Sequence, residues 1–245
     1  MDKQMSIIDH MEELRRRILI SLAAILAVTI IAFFFSDKIL TVILLPSGGL
    51  KLNAFSLLDG FFIKCQLALY TGIVAAFPVW FFQIYKFISP GLYQNERKLI
   101  FPLIFGSLLL FALGSIFGFY LLWGMIRVLE EFFPPQVSLL PTADAYISFV
   151  LFFLLACGLA FQLPTILVGL VQFHVLSTRV MKKQRRIAYF ILFAFAEIIT
   201  PVTDPIVAPL TVMVPLVLLY ELSIFLGGRI EAARLVDKPQ STLET

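Results

Sequence analysis

Two short polar strings in an otherwise apolar chain hold the residue types that can recognise a charged partner. The first, IIDHMEELRRRIL, places Asp9, Glu12 and Glu13 just ahead of Arg15, Arg16 and Arg17. A carboxylate offers two oxygens and can hold a guanidinium through a forked pair of hydrogen bonds, so Glu13, or its neighbour Glu12, is a candidate acceptor for an arginine on a partner. The same charges also have a structural reading. Asp9 followed by Glu12 suits a helix start, acidic residues suit the positive end of the helix dipole, and the arginines suit the edge of a membrane span. The second string, YKFISPGLYQNERKLIFP, carries a stop and turn at Ser89-Pro90-Gly91, then Asn95 as a cap and Glu96 in a first helical turn beside Arg97 and Lys98. Glu96 is open to the same two readings.

Two further polar groups lie inside long apolar runs, where an ionisable residue is costly and points to function. Gln162 is 10 residues from Gln172 and Glu197 is 10 residues from Ile187. At 1.5 Å per residue both sit about 15 Å below the nearer membrane edge, so they are expected to share one polar patch. A hydrogen bond that only joins two helices is the structural alternative. Glu221, near the end of the last run, is expected to snorkel or to pair with Arg229.

Catalysis has no support in the sequence. There is no GxxxxGK phosphate loop, so no ATP chemistry is expected. The two histidines, His10 and His174, stand apart from any Cys or carboxylate cluster, so neither metal nor other cofactor is expected. No nucleophile elbow or paired-carboxylate motif is visible, and nothing points to nucleic acid. Cys65 and Cys157 lie in apolar runs without motif spacing and read as reduced, buried thiols.

The elements that must carry these groups are set by the bilayer. The chain is 60% hydrophobic and 14% charged, against about 45–50% and about 25% in a soluble domain, and its mean hydropathy is +0.96. Crossing about 30 Å of hydrocarbon takes roughly 20 helical residues. Candidate spans are 18–36, 65–88, 99–129 and 146–172, followed by two weaker ones at 187–199 and 206–226. The first is too long for a signal-peptide core and lacks a small-residue cleavage site, so it reads as a span. With six spans, Lys3, Arg15–Arg17, Lys86, Arg97, Lys98, Arg179, Lys182, Lys183, Arg185, Arg186, Arg229, Arg234 and Lys238 fall on one side. Only Lys38, Lys51, Lys64 and Arg127 fall on the other, a split of 15 to 4. The basic side is cytoplasmic, which places both termini there.

The expected fold is therefore all-α, one six-helix transmembrane domain over residues 1–245, with a cytoplasmic N-tail at 1–17 and a disordered C-tail at 237–245. Prolines at Pro78, Pro102, Pro164, Pro209 and Pro215 are expected to kink the helices into a curved wall. The fifth and sixth helices are expected to be short, with a thinned bilayer beside them.

The strings HMEELRRR and FISPGLYQNERK resemble the two signature segments of the TatC family, and further likenesses run along the chain: LLPSGGL, FQLP, the basic loop before span five and TPVTDP. The resemblance implies a receptor for twin-arginine signal peptides that nucleates a translocation site with TatA- and TatB-type single-span subunits. It moves folded proteins across the cell inner membrane on an ion gradient, and self-association is expected as well. By position it implies Glu13 and Glu96 as acceptors for the arginine pair, Phe87 as the aromatic beside them, and Arg15 and Arg17 as the surrounding basic residues. Pro46 and Asp204 become candidate contacts with partner subunits. Lysine, a point charge without the fork, should substitute poorly for either arginine. The chain departs from the pattern at Gln162, where the family has a glutamate, and at Ala208, where it has a polar residue. A secondary transporter or channel for a small solute, with Glu197 as its proton or ion site, is the competing reading.

Overall fold

The computed structural model describes residues 7–49, 51–88, 100–131, 141–200 and 207–236. Glu96 with its loop, Asp204 with its turn, and the C-terminal residues 237–245 lie outside the described residues. The elements are α1 (Ile7–Phe34), α2 (Ser36–Ile43), a 3-10 turn (Leu45–Ser47), α3 (Asp59–Ala75), α4 (Phe77–Ile88) and α5 (Ile100–Glu131). Then come α6 (Ala143–Ala160), α7 (Leu163–Gln172), α8 (Thr178–Lys183), α9 (Arg185–Ile199) and α10 (Val207–Val236). Among the described residues the only strand-like pairing is one parallel bridge, Asn53 with Thr142. Asn53 donates to Pro141 O at 3.0 Å, and its own carbonyl accepts from Ala143 N–H at 2.9 Å. The loop after the 3-10 turn is thereby tied to the start of α6.

Among the described residues four helical stretches, one of them running from α6 through α7, are long and apolar enough to cross a membrane, and the α3–α4 pair makes a fifth if it counts as one span. Several differ from their sequence expectations. Helix α1 begins at Ile7, so residues of the expected N-tail are its first turns, and Asp9 lies within the first turn. The second span starts at Asp59 and bends by 49° between Ala75 and Phe77, because Pro78 has no N–H to continue the helix. Trp80 Nε1 donates to Ile73 O at 3.0 Å and satisfies an acceptor at this bend. Pro164 stands at the matching break between α6 and α7.

The expectation of a short sixth helix is overturned. Helix α10 runs for 30 residues with Pro215 inside it, while Pro209 falls in its first turn, where a missing N–H costs nothing. Helix α9, with 15 residues, rises only about 22 Å and is short as expected.

The chain forms two compact units, Met1–Cys157 and Gly158–Thr245. In the first, α1 packs along α3 and α4. Gly72 allows the close approach: a Cβ there would stand 2.0 Å from Thr29 Oγ1 and 3.0 Å from Thr29 Cα. Phe77 is the hub of the core at the bend, stacked on Phe111 (centroids 4.0 Å) and Phe81 (5.0 Å) and edge-on to Trp80 (4.9 Å). Gly48 and Gly49 close the 3-10 turn at φ 63° and 96°, a left-handed backbone that suits glycine. Cys65 and Cys157 are both free thiols, and Cys157 is buried.

In the second unit α10 packs against α7, α8 and α9. A Cβ on Gly227 would lie 2.9 Å from Thr178 Cγ2, so this glycine lets α10 meet the start of α8. Glu231 holds the same point, accepting from Thr178 N–H at 2.9 Å and from the Thr178 hydroxyl. Glu221 does not pair with Arg229. It accepts from Arg185 Nη2 at 2.6 Å and Tyr189 Oη at 2.7 Å, while Arg229 lies over the Phe225 ring at 4.9 Å.

Candidate recognition site at the α1–α4 seam

Helical spacing puts His10, Glu13, Leu14 and Arg17 on one face of α1, and the same logic puts Trp80, Gln83, Ile84 and Phe87 on one face of α4. The two faces meet. Arg17 bridges them: its Nη2 donates to Glu13 Oε1 at 2.8 Å and its Nη1 to Gln83 Oε1 at 3.0 Å. One turn nearer the N-terminus, the His10 ring stacks on Phe87 with centroids 4.3 Å apart and planes 16° from parallel.

The seam excludes most water. The side chains of Arg17 and Glu13 are 15% and 16% exposed, and Gln83 is buried. Glu13 Oε2 and Arg17 Nε are both buried without a hydrogen-bond partner among the described residues. Such unmet groups are costly at low dielectric, so the seam holds spare capacity for both an acceptor and a donor. Beneath the pair lies a cavity of about 290 Å³ between α1 and α4, walled mainly by Leu14, Ile18, Leu22, Trp80 and Ile84. Outside it, an open groove of about 740 Å³ follows α1 past Asp9, Glu12, Glu13, Arg15 and Arg16.

This geometry separates Glu12 from Glu13, which spacing alone left equivalent. Glu12 is exposed, as are Arg15 and Arg16, whereas Glu13 turns into the seam with Arg17. Phe87 stacks on His10, one helical turn from Glu13 along α1. Gln83, Trp80 and His10 were missed. Their signal was available in the three- and four-residue spacings on either helix, but the pairing of the two helices was not.

The remaining candidates lie elsewhere. Pro46 is buried in the 3-10 turn and helps line a cavity of about 190 Å³ with Trp123, Ile126 and the exposed Arg127. Gln162 is buried at the α6–α7 break. Glu197 is half-buried on α9 and makes no hydrogen bond or ion pair among the described residues, so no bond joins it to Gln162. No group of three or more His, Cys, Asp or Glu among the described residues could hold a metal.

Long apolar helices with their hydrophobic faces outward define a polytopic membrane protein. Of the apolar window of α1 only 6% is buried, and Leu22, Leu26, Ile30 and Phe34 are all at least half exposed. Comparison with known proteins specifies the class. The family model described as Sec-independent protein translocase protein (TatC) matches residues 9–215. A TatC from Carboxydothermus hydrogenoformans is 35% identical over 229 residues, covering 92% of this chain and 94% of the relative. The TatCy protein of Bacillus subtilis is 37% identical over 232 residues, covering 91% and 89%. A crystal structure of the twin-arginine translocase receptor TatC superposes with a TM-score of 0.75 at 35% identity, covering 89% of this chain and 98% of that one. The same receptor in DDM gives 0.78 at 33% identity, covering 89% and 99%. The chain belongs to the TatC family of Sec-independent protein translocases.

Proposed function

We propose that this chain is the receptor for twin-arginine signal peptides in a translocase of the inner membrane, with six spans and both termini cytoplasmic. The observation that carries the reading is Glu13, a carboxylate turned into a largely dehydrated seam that already binds one guanidinium, that of Arg17. A site that holds arginine from its own chain has the chemistry to hold arginine from a peptide. Phe87 and the apolar cavity behind it offer a surface for the peptide's apolar flank. Glu96 is the second acceptor on the strength of its motif, so that an Arg-Arg pair meets two carboxylates. Exposed Arg15 repels isolated cations that approach without reaching a carboxylate.

Translocation follows with TatA- and TatB-type subunits and a second copy of the chain, Pro46 and Asp204 serving as contacts and Gln162 and Glu197 as polar positions within the bilayer. The sequence holds no ATP motif, so an ion gradient supplies the energy. Helix α9, at 15 residues, falls about 8 Å short of the hydrocarbon thickness and thins the bilayer beside it.

Site-specific crosslinking in membranes tests the receptor reading. A photoreactive group in the loop of Glu96 should capture a twin-arginine peptide, and capture should fail with Glu96→Ala and with a Lys-Lys peptide. Capture indifferent to both changes would reduce Glu96 to a helix-start residue.

A further inference from the structure

The acceptor of the proposed site is not empty. Arg17 sits one turn from Glu13 on the same helix, and its guanidinium takes the place a ligand guanidinium would take. It does so incompletely. A forked pair would use both carboxylate oxygens, but only Oε1 is engaged, and Oε2 is buried without a partner among the described residues. The second guanidinium arm is drawn away to Gln83 on α4, which prevents Arg17 from closing the fork.

We infer that Arg17 is a built-in competitor that sets the specificity of the site: it occupies Glu13 through one oxygen and yields only to a donor able to engage both. The inference rests on the receptor reading and adds the rule by which the site selects. An incoming arginine replaces one hydrogen bond at Glu13 with two parallel ones and gives the orphan Oε2 its partner. An incoming lysine brings a single strongly hydrated point charge, so it replaces one contact with one contact and gains little by displacing Arg17. Arg17, once displaced, keeps Gln83 as an acceptor, so its charge is not left without any partner at the seam. Discrimination between arginine and lysine therefore comes partly from Glu13 and partly from the resident that must be moved.

The distinguishing variant is Arg17→Gln, which removes the competing cation and keeps a polar side chain toward Gln83. Binding of a fluorescent twin-arginine peptide and of its Lys-Lys counterpart is measured on full-length protein in lipid nanodiscs. Arg17→Gln should bind the Arg-Arg peptide about five-fold tighter, which is about 1 kcal/mol at 1.4 kcal/mol per tenfold. It should bind the Lys-Lys peptide tighter by a larger factor, so that the Arg-to-Lys preference narrows. Gln83→Leu leaves Arg17 free to close the fork on Glu13 and should weaken Arg-Arg binding, which keeps the test decisive if Arg17→Gln folds poorly. Weaker or unchanged Arg-Arg binding in Arg17→Gln, with the preference intact, overturns the inference and makes Arg17 a brace for Glu13. Tighter or unchanged binding in Gln83→Leu also counts against it. Failure of the unaltered protein to bind the Arg-Arg peptide is a separate result that strikes the receptor reading itself.

Discussion

Gly72→Ala should destabilise the protein although it replaces glycine by the best helix former. In an open helix interior, alanine gains about 1 kcal/mol over glycine. At Gly72 the new methyl would stand 2.0 Å from Thr29 Oγ1 and 3.0 Å from Thr29 Cα and Cβ. The hydroxyl contact can be relieved by rotating Thr29, at some cost for a β-branched residue in a helix. The contact to Cα cannot, so α1 and α3 must part. Overpacking of this kind costs about 1–3 kcal/mol, and it also opens the main contact of α1. The net expectation is a loss of about 1–2 kcal/mol, or a fall in melting temperature of roughly 2–8 °C for a chain of this size. Gly106 and Gly124 supply the control, since a Cβ at either meets nothing within 4 Å; alanine there should hold or raise stability. Thermal unfolding of purified protein in one detergent, read by intrinsic fluorescence, ranks the three. Thr29→Ala combined with Gly72→Ala should recover part of the loss, because it removes the 2.0 Å contact and leaves those at 3.0 Å. If Gly72→Ala melts with Gly106→Ala and Thr29→Ala rescues nothing, the close helix approach is not what holds α1.

Three further outcomes follow from single contacts. Trp80→Phe keeps the ring among Phe77 and Phe81 but strips the donor from Ile73 O at the bend; it should cost about 1 kcal/mol in detergent unfolding. His174 ends α7 at φ 58°, with Val175 and Leu176 both bonding back to Leu170 O at 3.0 and 3.2 Å. His174→Gly should therefore be tolerated, and His174→Val should lose about 1–2 kcal/mol by chemical denaturation. For Glu221 and Arg185, whose side chains are 35% and 43% exposed, a double-mutant cycle with Glu221→Gln and Arg185→Gln should give a coupling of only about 0.5 kcal/mol.

Hydropathy made most of the spans legible, because a residue that must face lipid has few alternatives. The bend at Pro78 and the break at Pro164 were legible for a different reason, since a missing N–H acts locally. Pro209 and Pro215 do not end the helix: a first-turn proline removes no helical bond, and α10 continues past Pro215. Glu221 was expected to snorkel or to pair with Arg229 on its own helix. Its partner, Arg185, is 36 positions away and is reached only because α9 folds back on α10. Gln83 was invisible for the same reason: it stands 66 positions from Arg17, and no local pattern marks a glutamine that will face a guanidinium.

Of the contacts that fix the position of Glu13, two hold α1 at well-separated points. One is polar and close, the Arg17–Gln83 bond onto α4. The other is steric and remote, the Thr29–Gly72 contact onto α3, 12 residues or about 18 Å along the helix from Arg17. Most of the outer face of α1 stays exposed, and the face it does cover lies along α3 and α4, so both anchors act on one packed seam. A helix transmits a displacement at one end to the other as a rod does. Parting α1 from α3 at Thr29 must then alter the angle at which Glu13 and Arg17 meet α4, and a hydrogen bond of 3.0 Å has little slack before it weakens. Recognition chemistry at one end of α1 is therefore coupled to a glycine at the other. Gly72→Ala should weaken capture of a twin-arginine peptide without touching any residue of the seam, whereas Gly106→Ala should leave capture unchanged.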